Sequence, residues 1–159
     1  MSELRAAKPL ALRLLNGAGA TLRGLGLPLV RLDPDTLLAK ARRQTGLADF
    51  GGDAFRDPLG RLVASLEEEA RLTLLGRIVA RNDLVRLLVN RLRVTDVRRR
   101  HPEIDTGKIA RPIFILGLPR TGTSILHELL AQDPANRVPM TWEVMDPVPP
   151  PETATFEMD

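Results

Sequence analysis

One short loop in this chain has residue types that could bind an anionic group. Residues 117–124, GLPRTGTS, place the cation Arg120 and three hydroxyl side chains around two glycines. In a glycine-bearing loop that leads into a helix, several backbone N–H groups point at one place, and the positive end of the helix dipole adds to them. The loop is therefore predicted to bind a phosphate or sulfate group.

The spacing of Gly117 and Gly122 matches a Walker A loop, GxxxxGK[ST], except at one position. A Walker A loop has lysine directly after the second glycine, whereas this chain has Thr123 there and carries its cation, Arg120, inside the loop. The Walker lysine and the hydroxyl after it bind phosphates and magnesium. The arrangement seen here suits a terminal anionic group without a metal, although glycine spacing alone leaves a P-loop kinase or nucleotide triphosphatase as an alternative.

A loop of this kind needs a strand before it and a helix after it. Residues 113–118 form a continuous apolar run, which is typical of a strand buried on both faces. Residues 124–131 have apolar side chains at helical spacing. The sequence therefore predicts an α/β fold, in which a helical amino-terminal region precedes the first strand-loop-helix unit of a P-loop-like parallel sheet.

The residues before the loop have helical patterns. Asp33 and Pro34 predict the start of one helix and Gly46 predicts its end. The longest apolar period, over about residues 72–97, predicts another helix. A short helix and a flexible connection are predicted within residues 10–30, which contain several glycines and Pro28. The chain is thus divided into a helical cap or substrate-side region and the start of a core, residues 1–110 and 111–159.

Length and composition narrow the class of protein. A chain of 159 residues suffices for one domain. A phosphate loop at the end of a parallel strand nevertheless belongs to a sheet of several strands, and only one strand is predicted. The chain ends in a proline-rich, acidic stretch. We therefore expect an incomplete domain, the amino-terminal part of a longer protein.

Residues suited to metal ligation are scarce. There are no cysteines and only two histidines, His101 and His127, so the sequence argues against a metal site built by the protein. The absence of cysteine favours a reducing compartment. No apolar run is long enough to span a membrane, and the amino terminus lacks the apolar core of a signal peptide. A cytoplasmic protein is the prediction.

Arginines dominate the charge of residues 71–100. A basic helix could contact an acidic membrane surface or a nucleic acid, but no aromatic interleaving or nucleic-acid motif accompanies it. Arginines that pair with acidic residues, such as the glutamates at 67–69, explain the pattern more simply. Nucleic acid is therefore not expected as a partner, peripheral membrane contact stays open, and the oligomeric state is not predicted.

The loop and its flanks resemble a known family. Residues 117–124, with the apolar run before them and LHELLAQDP at 126–134 after them, resemble the 5′-phosphosulfate-binding loop of sulfotransferases that use 3′-phosphoadenosine 5′-phosphosulfate (PAPS). The bacterial branch, with arginine in the loop, is the most similar. The resemblance extends back to about residues 50–90 and forward to Trp142 and Glu143. It implies transfer of a sulfuryl group from PAPS, as co-substrate, to a hydroxyl or amine of a small or lipid-like acceptor, without a metal.

The resemblance also implies roles for the loop residues. Arg120 would donate to the bridging oxygen, where negative charge grows as the bond breaks. Thr123 and Ser124 would add hydroxyl donors, although capping of the helix also explains them. The residues expected to bind the donor are Pro119, Arg120, Thr121, Gly122, Thr123 and Ser124.

The acceptor must lose a proton, so a base is required near the sulfur. Glu143 is the first candidate, because a glutamate after the first loop-helix unit is a recurrent base in bacterial sulfotransferases. His127 is the second, because it lies four residues after Thr123 on the predicted helix. A base outside these residues is the third.

Sulfotransferases bind the 3′-phosphate of PAPS with a later arginine and serine, and the sequence offers no place for them. We therefore expect little or no activity from these residues alone. A non-catalytic helical relic, whose loop binds sulfate incidentally, is the alternative outside the enzyme classes.

Overall fold

The computed structural model describes residues 9–24 and 30–150. Within them the chain divides into two compact units, of which the first ends at Asp96 and the second begins at Val97. The region boundary predicted at 110/111 stays a prediction. The connection expected around Pro28 and the proline-rich stretch 151–159 lie outside the described residues.

The described residues form six α-helices and one 3-10 helix. The α-helices are α1 Leu10–Gly24, α2 Pro34–Thr45, α3 Arg56–Glu68, α4 Leu74–Arg100, α5 Thr123–Ala131 and α6 Thr141–Met145, and the 3-10 helix is Pro102–Thr106. None of the helices in the described ranges is long and apolar enough to cross a membrane.

The strand predicted at residues 113–118 is wrong. No residue in the described ranges lies in a strand, so the predicted α/β class and its P-loop-like parallel sheet are wrong as well, and the described chain is helical with loops. A strand exists only through hydrogen bonds to a neighbouring strand, and no described segment pairs with this run. Most of its apolar side chains are exposed instead, from 64% for Ile113 to 91% for Leu116, and Ile115 is half-buried.

Helix α2 begins and ends where the sequence predicts. The carboxylate of Asp33 accepts a hydrogen bond from the backbone N–H of Thr36 at 2.9 Å, as an N-cap residue does. Gly46 adopts the left-handed conformation, with φ of 71°, and its N–H bonds to the carbonyl of Arg42. Both ends are therefore fixed by local side-chain chemistry.

The core of the first unit lies between α2, α3 and α4. Leu37 and Leu92 are its largest fully buried side chains, and Phe50 joins them from the loop between α2 and α3. The apolar period predicted for α4 is confirmed in its second half, where Leu88 and Leu92 are buried. The predicted helix is present in the first half as well, but there Val79 is 51% exposed.

A buried ion pair between α3 and α4 adds to this core. The guanidinium of Arg77, only 5% exposed, contacts the carboxylate of Glu67. Arg77 also donates to the carbonyl of Val30 at 2.7 Å, and Glu67 accepts from the backbone N–H of Leu32 at 2.6 Å. The pair therefore connects both helices to the segment that leads into α2.

Replacing Glu67 by alanine should destabilise the protein by about 3 kcal/mol, because the buried Arg77 loses its counter-charge and a backbone N–H loses its acceptor. Urea unfolding of the variant measures this loss. Glu68→Ala is the matched control, since the neighbouring glutamate is exposed. Equal effects of the two substitutions would contradict a stabilising role for the pair.

Candidate functional site

The loop before α5 folds back on itself. Arg120 and Gly122 both have positive φ, at 67° and 88°, and the hydroxyl of Thr121 donates to the carbonyl of Leu118 at 2.7 Å. A side chain at Gly117 would place its Cβ 2.7 Å from the Thr121 hydroxyl oxygen and 2.8 Å from a methyl of Thr123. A side chain at 117 would therefore displace the side chains of Thr121 and Thr123, and Gly122 supplies the left-handed residue just before the helix.

The turn leaves backbone donors free at the start of α5. Among the hydrogen bonds of the described residues, none is donated by the backbone N–H groups of residues 121–124. The first bond of the nine-residue helix runs from the N–H of Leu126 to the carbonyl of Gly122 at 3.0 Å. Unpaired N–H groups at a helix N-terminus, together with the dipole, are suited to an anion.

Arg120 adds a cation to these donors. Its side chain is exposed, and it forms no ion pair with any residue in the described ranges. A non-glycine residue with positive φ is uncommon, and such conformations concentrate at functional sites. The chemistry of the donors fits a phosphosulfate group. No cluster of three or more potential metal ligands occurs in the part of the chain that the structure describes.

A cavity of about 540 Å³ lies beside the start of α5. Thr123, Ser124 and His127 line it from α5, and Val144 and Met145 line it from α6. One wall is therefore polar and the other largely apolar. The cavity could hold a molecule with an apolar body and a polar group directed at α5.

His127 is a half-exposed titratable group in this cavity. Its side chain is 42% exposed, and its Nδ1 lies 3.9 Å from the nearer carboxylate oxygen of Glu128. That distance is too long for a hydrogen bond. The imidazole is thus placed near Thr123 and Ser124 and is not tied to the neighbouring carboxylate.

Glu143 has a different environment. Its side chain is 7% exposed, and its carboxylate accepts from the backbone N–H of Met140 and from the guanidinium of Arg137, both at 2.5 Å. The Met140 hydrogen bond first, and then the Arg137 bond, hold the pKa of Glu143 below its usual value. Glu143 is not among the groups that line the cavity.

The structure brings some of the predicted site residues together and separates others. Thr123, Ser124 and His127 share the cavity, whereas the carboxylate of Glu143 is bound to Arg137. Whether Glu143 acts as the base stays a prediction. Sequence reasoning missed Arg137 and helix α6. There was little signal for it in the sequence, because Glu143 follows Met140 at the spacing of a capping box but methionine has no hydroxyl to cap the helix.

The chain is similar to sulfotransferases in sequence and in structure. Residues 112–158 match the model of the sulfotransferase family. The crystal structure of sulfotransferase STF1 from Mycobacterium tuberculosis superposes with a TM-score of 0.74 at 40% identity, over 81% of this chain and 36% of that one. Sulfotransferase STF9 from Mycobacterium avium gives 0.72 at 34% identity, over 79% of this chain and 32% of that one. No curated protein matches.

The similarity to the two solved structures reaches well beyond the residues that match the family model, so it includes helical residues before the loop. This chain spans about a third of the length of each solved relative. The loop that was identified from its residues lies inside the matched segment. The chain belongs to the sulfotransferase family.

Proposed function

We propose that the full-length protein transfers a sulfuryl group from PAPS to a hydroxyl or amine of a small or lipid-like acceptor. The observation that carries this proposal is the geometry of residues 117–124: a tight turn with little space beside Gly117, free backbone donors, and an arginine without an ion-pair partner among the described residues. Membership of the family supports it, because the loop lies in the matched segment.

The loop would act on the donor. The N–H groups of residues 121–124 hold the 5′-phosphate, and Arg120 donates to the oxygen that bridges phosphorus and sulfur. Negative charge grows on that oxygen as its bond to sulfur breaks, so a cation there stabilises the transition state more than the bound donor. Pro119 and the hydroxyls of Thr123 and Ser124 complete this donor site, which requires no metal.

The cavity beside α5 would hold the acceptor. The acceptor oxygen forms a bond to sulfur, the bond from sulfur to the phosphate oxygen breaks, and the products are the sulfated acceptor and 3′-phosphoadenosine 5′-phosphate. The acceptor proton goes to His127, which lines the cavity with Thr123 and Ser124. The ion pair between the buried carboxylate of Glu143 and the exposed Arg137 makes that carboxylate less suited to the same task.

The activity is proposed for the full-length protein. The solved relatives are about three times as long as the part that this chain matches. The sequence offers no place for the arginine and serine from a later strand and helix that bind the 3′-phosphate in sulfotransferases, so the 159 residues alone should show little or no turnover.

A transfer assay tests the proposal. The full-length protein, given PAPS labelled with ³⁵S and a panel of phenols and aliphatic alcohols, should form labelled products in the presence of a metal chelator. Magnesium-dependent hydrolysis or transfer from ATP, with no product from PAPS, would support a P-loop kinase or triphosphatase instead. Absence of both reactions in a folded protein would favour a non-catalytic relic.

A further inference from the structure

Helix α6 needs support from outside itself. It has only five residues, Thr141–Met145, and a helix this short does not form alone in water. Two of its apolar side chains, Val144 and Met145, nevertheless form part of the cavity wall. Whatever holds α6 therefore determines the shape of the proposed acceptor site.

The support comes from Glu143 and Arg137. One oxygen of the Glu143 carboxylate accepts from Arg137 Nη2 at 2.5 Å, and the other accepts from Arg137 Nη1 at 3.3 Å and from the backbone N–H of Met140 at 2.5 Å. Arg137 Nη1 also donates to the carbonyl of Val138 at 2.7 Å. These bonds tie the segment before α6 to the first turn of the helix.

The two side chains differ in exposure. Glu143 is 7% exposed, whereas Arg137 is 65% exposed. A buried carboxylate needs all its hydrogen bonds, because an unsatisfied charge inside the protein is strongly unfavourable. The Glu143 carboxylate already accepts three hydrogen bonds, and the guanidinium of Arg137 favours its ionised form, so acceptance of a substrate proton would weaken these contacts.

We propose that Arg137 and Glu143 are a positioning pair, which holds α6 as the apolar wall of the acceptor cavity, and that Glu143 does not itself accept the proton. This inference rests on the proposed function for the meaning of the cavity. Across the cavity, α5 contributes His127 and Glu128 to the other wall.

Trp142 gives a direct readout of α6. It is the only tryptophan in the chain, which has no tyrosine, and it lies beside Glu143 in a half-buried position. In the 159-residue chain, Arg137→Gln and Glu143→Gln should each shift the Trp142 emission to longer wavelength and increase its quenching by acrylamide. Arg137→Lys keeps the charge and should restore much of the original spectrum.

Two controls separate a local change from unfolding. Far-UV circular dichroism should stay nearly constant, because α6 is a small part of the helical content. Arg98→Gln removes the exposed ion pair between Arg98 and Asp105 in the same unit and should leave the Trp142 spectrum unchanged. Unchanged Trp142 spectra in both Arg137→Gln and Glu143→Gln would overturn the proposal.

Steady-state kinetics of the full-length protein provide a second test of the positioning role. Glu143→Gln and Arg137→Gln should each raise the acceptor KM by about tenfold with a much smaller change in kcat, which is the pattern of lost ground-state binding. If Glu143 were the base, its replacement would instead lower kcat by about 10²–10⁴ and leave KM little changed. That result for Glu143→Gln alone would overturn the positioning role. If the wild type transfers no sulfuryl group, the proposed function is wrong. The Trp142 fluorescence of the variants still decides whether Arg137 and Glu143 hold α6.

Discussion

Replacing Arg120 by alanine in the full-length protein is expected to lower turnover by on the order of 10²–10³, as removal of a donor to developing negative charge does in other enzymes. The loss should be the same for every acceptor. Arg120 interacts with charge on the leaving phosphate, and that charge grows whichever group attacks the sulfur. Steady-state rates with one phenol and one aliphatic alcohol measure both the size and the uniformity of the effect.

Arg111→Ala is the matched control for this prediction. Arg111 is also an exposed arginine with positive φ, at 50°, and lies outside the loop. Its replacement should leave turnover within about twofold, as is usual for a surface position away from the chemistry. A loss in Arg120→Ala that appears with only one class of acceptor would show that Arg120 acts on the acceptor and not on the leaving group.

Replacing His127 by alanine should lower the rate with aliphatic alcohols by about 10²–10⁴, the usual contribution of a general base. A phenol loses its proton more readily, so the rate with a phenol should fall much less. His101→Ala is the control, because His101 is the other histidine and pairs with Glu103 on the surface. The ratio of kcat/KM values for the two acceptor classes is the quantity to compare.

The same ratio distinguishes the two candidate bases. If Glu143 removed the proton, as the sequence alone favours, Glu143→Gln would show the selective loss with alcohols and His127→Ala would not. The positioning role predicts the reverse, with Glu143→Gln affecting both acceptors through KM. A uniform, small effect of both substitutions would place the base outside these residues.

The features that the sequence predicted well depend on local chemistry. Asp33 and Gly46 define the ends of α2 through bonds to residues three or four positions away, so the pattern itself contains the information. The limited space at Gly117 likewise comes from contacts within the loop at 117–124, whose role in donor binding stays a prediction. Local geometry of this kind can be inferred from one sequence.

The features that it missed depend on contacts that composition and spacing do not reveal. The apolar run at 113–118 has strand-like composition, but strand pairing needs a second segment, and composition does not show whether one is present. The contact between Glu143 and Arg137, six residues away, was also not predicted. The pairing of Glu67 with Arg77 is a different case, because it confirms the interpretation that arginines of residues 71–100 pair with the glutamates at 67–69. The composition of residues 113–118 therefore did not show whether another strand pairs with them, and the sequence around Glu143 did not show that Arg137 binds its carboxylate.

Donor binding tests the central claim most directly. Isothermal titration calorimetry of the full-length protein with 3′-phosphoadenosine 5′-phosphate, in the presence of EDTA, should show saturable binding. The substitution Arg120→Ala should weaken this binding, and Arg111→Ala should leave it unchanged. ATP with magnesium should bind no more tightly than ATP without it. Tight, magnesium-dependent ATP binding together with no heat from 3′-phosphoadenosine 5′-phosphate would contradict the assignment of residues 117–124 as a phosphosulfate-binding loop.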